Sequence, residues 1–243
     1  MGNEGHVSFW KSHFDQQVEQ YTAEHEILDF SNEKTMKQIH DITVNIAQSC
    51  LEDGDTVVDV GCGTGRTLAL LVETSDFSTL RIIAVDISAG LLQQAQDALE
   101  RVVPETTATR VLQSSILSLG IRDEGASVLI CTEVLQYANP REGLKQLVDA
   151  TQAHGTVVFS LPNVHNETIQ RVVERNSGRY NSDDIGSIIR DLEQCTSIAS
   201  CTLFPLEFQD EGSEQPYFDP IPLSLDEYTP DSGPNRYIVK LEL

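Results

Sequence analysis

Basic residues are scarce in this sequence, which has 16 Lys and Arg against 38 Asp and Glu and a formal net charge of −22. A chain of this charge repels the phosphates of nucleic acids, and no cluster of Lys and Arg provides a local basic patch. Binding to nucleic acid is therefore not expected. The acidity favours a role in solubility over the steering of a substrate.

Long apolar runs and paired cysteines are also missing. No stretch approaches the roughly 18 apolar residues of a membrane span, and Met1–Ser8 lacks the basic and apolar regions of a signal peptide. The five cysteines form no CxxC pair, and an odd, scattered set is typical of reduced thiols. The sequence predicts a cytoplasmic protein that does not associate with a membrane.

The strongest pattern is an apolar run, a glycine-rich turn and an amphipathic helix. The run Thr56–Val60 contains Asp59 and the helix is predicted over Arg66–Val72; alternate positions between them hold Gly61, Gly63 and Gly65. This order predicts a buried parallel strand followed by a tight turn and a helix whose N-terminus faces a ligand. A nicotinamide or flavin fingerprint would have its third glycine at position 66, which is Arg66. A dinucleotide site is therefore disfavoured.

A second acid follows the next apolar run. Asp86 ends the run Leu80–Asp86, and an acid at the tip of a second strand can accept hydrogen bonds from both hydroxyls of a ribose. Ile87 follows, where an apolar side chain can cover one face of an adenine. Capping of the next helix is better assigned to Ser88. The pair Asp86–Ile87 thus predicts a nucleoside site.

Strands and helices alternate after residue 55, which predicts an α/β fold with a doubly wound parallel sheet. Predicted strands are Thr56–Val60, Leu80–Val85, Thr109–Gln113, Ser127–Cys131, Thr156–Ser160, Ser200–Phe204 and Arg236–Leu243. Predicted helices after the first are Ser88–Val103, Asn139 to about Ala153, Asn166–Arg175 and Ile185–Cys195.

Two regions flank this alternation. Residues 1–50 are expected to form a helical N-terminal cap on a domain spanning 51–243, with Trp10 and Phe14 docking the cap onto the core. Residues 205–235 hold six of the nine prolines, eight acids and no Lys or Arg. An insertion of this length is expected to be a lid or part of an acceptor pocket, with a solvated acidic loop as the alternative.

The early third glycine and Asp59 resemble motif I of the class I S-adenosylmethionine-dependent methyltransferases. With Asp86, the segments Ile130–Tyr137 and Gly155–Ser160 extend the resemblance over about residues 50–163. They are similar to the family's small-molecule branch, which includes the ubiquinone/menaquinone-biosynthesis enzymes. The resemblance implies a Rossmann-like, seven-stranded sheet with an antiparallel last strand, and S-adenosylmethionine as the cofactor.

The resemblance also implies roles for individual residues around the cofactor. Asp59 would order the turn and the methionine amino group, Asp86 would bind the ribose, and Ile87 would cover the adenine. The methionine moiety would lie against Gly61, Cys62 and Gly63, with Glu133 near its amino group or the sulfonium. Tyr21 matches a tyrosine that can close over the methionine carboxylate.

One position departs from the family pattern. After the third strand the family usually has an acid that binds the adenine amino group, and this sequence has Ser115 there. A serine oxygen can accept the same bond, but without charge and more weakly. The backbone of Ile116 is a second expected contact to the adenine.

Catalysis in such a site needs mainly an acceptor held in line with the methyl–sulfur bond. Tyr137 and His165 follow the fourth and fifth strands and are the candidate general bases, with His165 slightly favoured. His13 in the N-terminal cap is a further candidate. No acid cluster with metal-ligand spacing appears in the segment after the fourth strand, so no metal is expected. The predicted activity is methyl transfer to O, N or C of a small molecule. Alternatives are use of the cofactor for a non-methylating reaction or regulation, and a protein methyltransferase; the oligomeric state is left open.

Overall fold

Strands and helices alternate along the chain in the computed structural model, which describes residues 3–18, 33–104, 107–121, 125–175, 183–207, 220–231 and 233–243. The helices are α1 (Asn3–Gln17), α2 (Glu33–Gln48), α3 (Arg66–Thr74), α4 (Ala89–Val102), α5 (Pro140–Asp149), α6 (Glu167–Arg175) and α7 (Ile185–Glu193). The strands are β1 (Thr56–Val60), β2 (Arg81–Asp86), β3 (Ala108–Gln113), β4 (Ala126–Cys131), β5 (Thr151–Pro162), β6 (Ser200–Leu206), β7 (Leu223–Ser224) and β8 (Arg236–Glu242).

The strands form one sheet in the order β3-β2-β1-β4-β5-β8-β6-β7. Strands β1 to β5 are parallel, and β8 runs antiparallel between β5 and β6. The predicted doubly wound, Rossmann-like sheet with an antiparallel last strand is confirmed. One strand is added to the expected seven, because Leu223 of β7 pairs with Leu203 of β6.

The order of the strands fixes where a ligand can bind. Strand β1 has β2 on one side and β4 on the other, so the chain winds away in both directions from β1. In open α/β sheets a crevice forms at such a switch point, outside the carboxyl ends of the strands. The glycine turn that follows Val60 and the acid Asp86 both lie at this edge.

Helices cover both faces of the sheet, and therefore the central strands are buried throughout. All residues of β1 and β4 are buried. One face of the sheet packs on α5 and α7, and the residues in this layer include Val58, Leu129, Phe159, Leu144 and Ile188. The other face packs on α2, α3 and α4, with Val57, Ile130, Ile39, Leu68 and Leu99 in the layer. Strands buried on both faces read as continuous apolar runs, which is why their positions could be predicted.

The predicted helix from Asn139 to about Ala153 is wrong in its last turn. Helix α5 ends at Asp149, and β5 begins two residues later at Thr151. The side chain of Thr151 donates to the carbonyl of Leu147 (2.8 Å), and its backbone pairs with Ala126 of β4. His154 then takes a left-handed backbone (φ 64°), which accompanies a shift in the β4–β5 register.

The N-terminal helices contact the sheet domain in different ways. Helix α2 belongs to the core, with Ile39 fully buried. Helix α1 lies on α4: Ser88 Oγ donates to Asp15 Oδ1 (2.7 Å), and Gln94 Nε2 donates to the carbonyl of Val18 (3.0 Å). Trp10 is 6% exposed, as expected for a docking residue. The division of the chain into units 1–50 and 51–243 stays a prediction.

No helix in the described ranges is both long enough and apolar enough to cross a membrane.

Asp184 joins three segments that are distant in sequence. Its Oδ1 accepts from the hydroxyl of Tyr228 (2.5 Å) and lies 3.0 Å from His165 Nε2, while Oδ2 accepts from the amide of Ser187 at the start of α7 (2.9 Å). Burial raises the pKa of Asp184, but the hydrogen bonds from Tyr228, Ser187 and His165 outweigh it and leave that pKa below its usual value. Within the predicted insertion, Tyr228 is thus held at this junction; residues 208–219 and 232 lie outside the described residues.

Replacing Asp184 should destabilise the fold without touching the sheet. In Asp184→Ala, α7 loses its N-cap and the buried hydroxyl of Tyr228 loses its acceptor, so we expect a loss of about 2–4 kcal/mol in the free energy of unfolding. Urea unfolding at neutral pH measures it. The matched control is Asp226→Ala, an exposed acid of the same region as Tyr228, expected to change stability by less than about 0.5 kcal/mol. Equal effects of the two variants would contradict the assignment.

Candidate functional site

A cleft opens at the carboxyl ends of β1, β2 and β4, beneath α1. It brings together most of the site residues predicted from the sequence: Asp59, Gly61, Cys62, Gly63, Asp86, Ile87, Ser115, Ile116, Glu133 and Tyr137. Gly65 and His165 are not part of its lining. Tyr21 lies outside the described residues.

The turn after β1 requires glycine for two different reasons. Gly61 has a left-handed backbone (φ 75°), and a Cβ there would stand 2.1 Å from Val134 Cγ2. Gly65 is also left-handed (φ 80°), and its Cβ would meet the backbone of Ala95 at 3.0 Å. Gly61 therefore keeps the turn against the segment after β4, whereas Gly65 allows α3 to pack closely on α4. This explains why Gly65 belongs to the motif but not to the lining.

Asp86 connects the end of β2 to the glycine turn. Its Oδ2 accepts from the amide of Gly63 (2.9 Å) and its Oδ1 from the amide of Ser88 (2.8 Å). The residue is 6% exposed, and burial raises the pKa of its carboxyl against the opposing effect of these backbone bonds. Each carboxylate oxygen can still accept a further bond. Ser88 caps α4 as predicted, because its Oγ accepts from the amide of Leu91 (3.3 Å).

The residues predicted to hold an adenine lie beside Asp86. Ile87 and Ile116 supply apolar surface to the lining. Ser115, the position where an acid was expected, uses its Oγ to accept from the amide of Leu117 (3.2 Å). The hydroxyl of Ser115 is therefore also part of the local turn, where it binds the backbone two residues later.

His40 is a lining residue that the sequence did not reveal. It lies on α2, is 5% exposed, and its Nδ1 is 2.9 Å from Oγ1 of Thr67 on the first turn of α3. The apolar spacing of α2 indicates a buried face but does not identify a partner on another helix. Both side chains line the cleft beside Asp59, which is 2% exposed.

In the wall of the cleft, neighbouring residues fix both the backbone and the carboxylate of Glu133. It is non-glycine with a left-handed backbone (φ 62°), and its amide donates to Ser160 Oγ (2.7 Å). That hydroxyl donates back to Glu133 Oε1 (2.8 Å), and Oε2 lies 2.8 Å from Nη1 of Arg236. The Arg236 side chain is 0% exposed. Glu133 lines the cleft, and its charge is balanced from behind by the buried cation Arg236, a residue that the sequence did not place in the site.

Aromatic side chains form the roof of the cleft. The ring centroid of Trp10 is 4.6 Å from that of Tyr137 and 5.8 Å from that of Phe14, and Phe14 is 5.5 Å from Tyr137. Trp10 and Phe14 belong to α1, and Tyr137 belongs to the short turn after β4. Of the two candidate bases, Tyr137 therefore faces the cleft, whereas the ring of His165 lies against Asp184.

Among the residues with described positions, no three His, Cys, Asp or Glu side chains lie close enough to hold a metal ion.

Comparison with known proteins agrees with this geometry. Residues 58–159 match the sequence model of a family described as Methyltransferase domain. Trans-aconitate 2-methyltransferase of Azoarcus sp. (strain BH72) is 41% identical over 75 residues, which cover 31% of this chain and 27% of that protein. The protein of the same name from Rhodopseudomonas palustris (strain BisB18) is 28% identical over 136 residues, covering 56% and 48%. The chain thus matches at most about half the length of these curated relatives.

A solved structure extends the likeness over the whole fold. Magnesium protoporphyrin IX methyltransferase from Synechocystis PCC 6803, crystallised with bound SAH, superposes with a TM-score of 0.64 at 15% sequence identity. The match covers 98% of this chain and 99% of that one. At this identity the likeness establishes the fold.

The residues present suit the cofactor of such a domain, S-adenosylmethionine. Carboxylates only accept hydrogen bonds, so Asp86 and Asp59 match the hydroxyls and the ammonium of a nucleoside-linked amino acid. Apolar surface for the base is available at Ile87 and Ile116. The turn at Gly61 has no room for a side chain and so presents bare backbone to the cleft. The fold and the glycine turn with its acids thus agree with the match of residues 58–159 to a methyltransferase domain.

Proposed function

We propose that the chain transfers a methyl group from S-adenosylmethionine to O, N or C of a small-molecule acceptor. The observation that carries the proposal is the direct bond from the Gly63 amide to Asp86, which joins the glycine turn and the second acid into one cleft under an aromatic roof. The names of the relatives add support, since trans-aconitate and magnesium protoporphyrin IX are both small molecules.

The proposed binding roles follow from where the side chains lie. Asp86 accepts from the ribose hydroxyls with the capacity that the Gly63 and Ser88 amides leave. Asp59 accepts from the amino group of the methionine moiety, beside the backbone of Gly61, Cys62 and Gly63. The adenine lies between Ile87 and Ile116, with Ser115 at its edge. The closing role of Tyr21 stays a prediction.

The chain's contribution to the reaction is mainly to orient the acceptor and keep water out. When bound, S-adenosylmethionine supplies an electrophilic methyl group on a positively charged sulfur. Trp10 and Phe14 of α1 close the cleft over Tyr137, and such enclosure fixes an acceptor in place and excludes solvent. Glu133, held by Ser160 and Arg236, shapes the wall between these rings and the glycine turn.

We also propose that the protein works in the cytoplasm and binds no nucleic acid. All five cysteines are free thiols in the structure, as expected in a reducing compartment. The net charge of −22 opposes contact with phosphate backbones.

Removing the Asp86 carboxylate should lower the affinity for the cofactor while the protein stays folded. In Asp86→Ala we expect the binding of S-adenosylmethionine to lose about 1.5–3 kcal/mol, the range for hydrogen bonds to a charged group. Calorimetric titration measures it, with circular dichroism to confirm folding. The control is Asp97→Ala, an exposed acid on α4, which should bind as the wild type does. Tight binding of NAD by the wild type without any response to S-adenosylmethionine would refute the proposed function.

The two candidate bases can be separated by their positions. Because Tyr137 lines the cleft, Tyr137→Phe should lower turnover of a protonated acceptor by about 10²-fold while cofactor affinity stays unchanged. His165→Ala, which alters a group outside the lining, should change turnover by less than about threefold. Release of the demethylated product under saturating cofactor gives both rates. The reverse ranking would restore His165 as the base.

A further inference from the structure

The acceptor side of the cleft has a distinct chemical character. The lining includes rings and apolar chains from Val7, Trp10, Phe14, Met36, Val134 and Tyr137. Three of these side chains are aromatic, and their ring centroids lie within 6 Å of one another. Aromatic walls of this kind favour flat or apolar ligands, which stack against ring faces and edges.

No Lys or Arg belongs to the described lining of this cleft. The charged residues that do line it are the acids Asp59, Asp86 and Glu133, with His40 on the α2 side. Asp59 and Asp86 lie at the carboxyl ends of β1 and β2, on the proposed cofactor side. Among the described residues, the wall around the aromatic rings therefore offers a ligand no guanidinium or ammonium group.

A buried cation behind this wall is already paired with an acid. Arg236 lies behind Glu133, at 0% side-chain exposure, with Nη1 2.8 Å from Oε2 of that residue. A buried ion pair that is broken costs several kcal/mol, so the guanidinium is not released cheaply to bind a ligand. The pair leaves the acceptor wall close to electrically neutral.

An anionic acceptor is expected to bind weakly to such a wall. A carboxylate taken out of water without a cation or several hydrogen-bond donors pays a large desolvation cost. Trans-aconitate, after which two relatives are named, carries three carboxylates. The described part of this cleft lacks the cations to balance them.

We infer that the acceptor is a small aromatic or otherwise apolar molecule that carries no carboxylate or phosphate, and that this chain therefore differs in acceptor from its trans-aconitate-named relatives. The inference rests on the proposed function, which assigns this cleft as the site where the acceptor binds. Its test measures binding to the walls of the cleft and does not require turnover.

The chain contains its own reporter for this test. Trp10 is the single tryptophan of the sequence and lies in the roof of the cleft. The probes are 4-nitrobenzamide and 4-nitrobenzoate, which have the same shape, differ in charge, and quench tryptophan emission on contact. Their affinities are compared by titrations that follow Trp10 fluorescence and heat release. The titrations are done with and without S-adenosyl-L-homocysteine (SAH), the demethylated form of the cofactor. Trans-aconitate is titrated in parallel by calorimetry.

We expect 4-nitrobenzamide to bind and quench with roughly tenfold higher affinity than 4-nitrobenzoate, and trans-aconitate to show no saturable binding. A preference for the amide below about threefold, saturable binding of trans-aconitate, or no quenching by either probe would overturn the inference. The calorimetric titration with SAH alone separates the two proposals. If SAH does not bind while the amide is still preferred, the proposed function is wrong. The conclusion that the wall prefers uncharged ligands is then still supported.

Two substitutions make the test specific to the aromatic roof. Phe14→Arg places a cation in the wall and should raise the affinity for 4-nitrobenzoate above that for the amide. Phe9→Ala is the matched control, since Phe9 lies on the same helix, is 36% exposed and does not line the cleft. It should leave both affinities within about twofold. An unchanged preference in a folded Phe14→Arg protein would place the probes elsewhere and so contradict the inference.

Discussion

The arrangement of the cleft depends on one close approach, that of the turn after β1 to the segment after β4. A Cβ at position 61 would stand 2.1 Å from Val134 Cγ2, closer than non-bonded carbon atoms approach each other. Without a side chain, Gly61 lets two loops from neighbouring strands meet, and Gly63 can then donate its amide to Asp86 at 2.9 Å. The acid, the turn and the aromatic roof share one cavity because of this contact.

Features encoded by adjacent residues could be predicted from the sequence. The apolar runs that became β1, β2 and β4 are local signals, as are the glycine spacing and the cap at Ser88. Placement of Asp86 followed from the general rule that ligands bind at the carboxyl edge of parallel strands. These signals sufficed for the fold and for ten of the residues that line the cleft.

Contacts between distant segments could not be predicted in this way. Arg236 meets Glu133 only because β8 inserts next to β5, which brings the start of the last strand to the carboxyl edge. His40 meets Thr67 across two helices. His165 follows β5 at the correct edge, yet its ring is held by Asp184, a residue that only tertiary packing brings near. Sequence position identified the edge of the sheet but not the direction of each side chain.

The bond between Asp15 and Ser88 ties the roof of the cleft to the start of the helix that follows β2. Helix α1 both roofs the cleft and hydrogen-bonds the cap of α4, one residue beyond Ile87 in the lining. Hydrogen bonds from Lys11 and Ser88 hold the pKa of Asp15 below its usual value, so this acceptor stays charged at neutral pH. Because one helix supplies both the roof and this bond, a change that loosens α1 from α4 would also move the aromatic rings above the cleft.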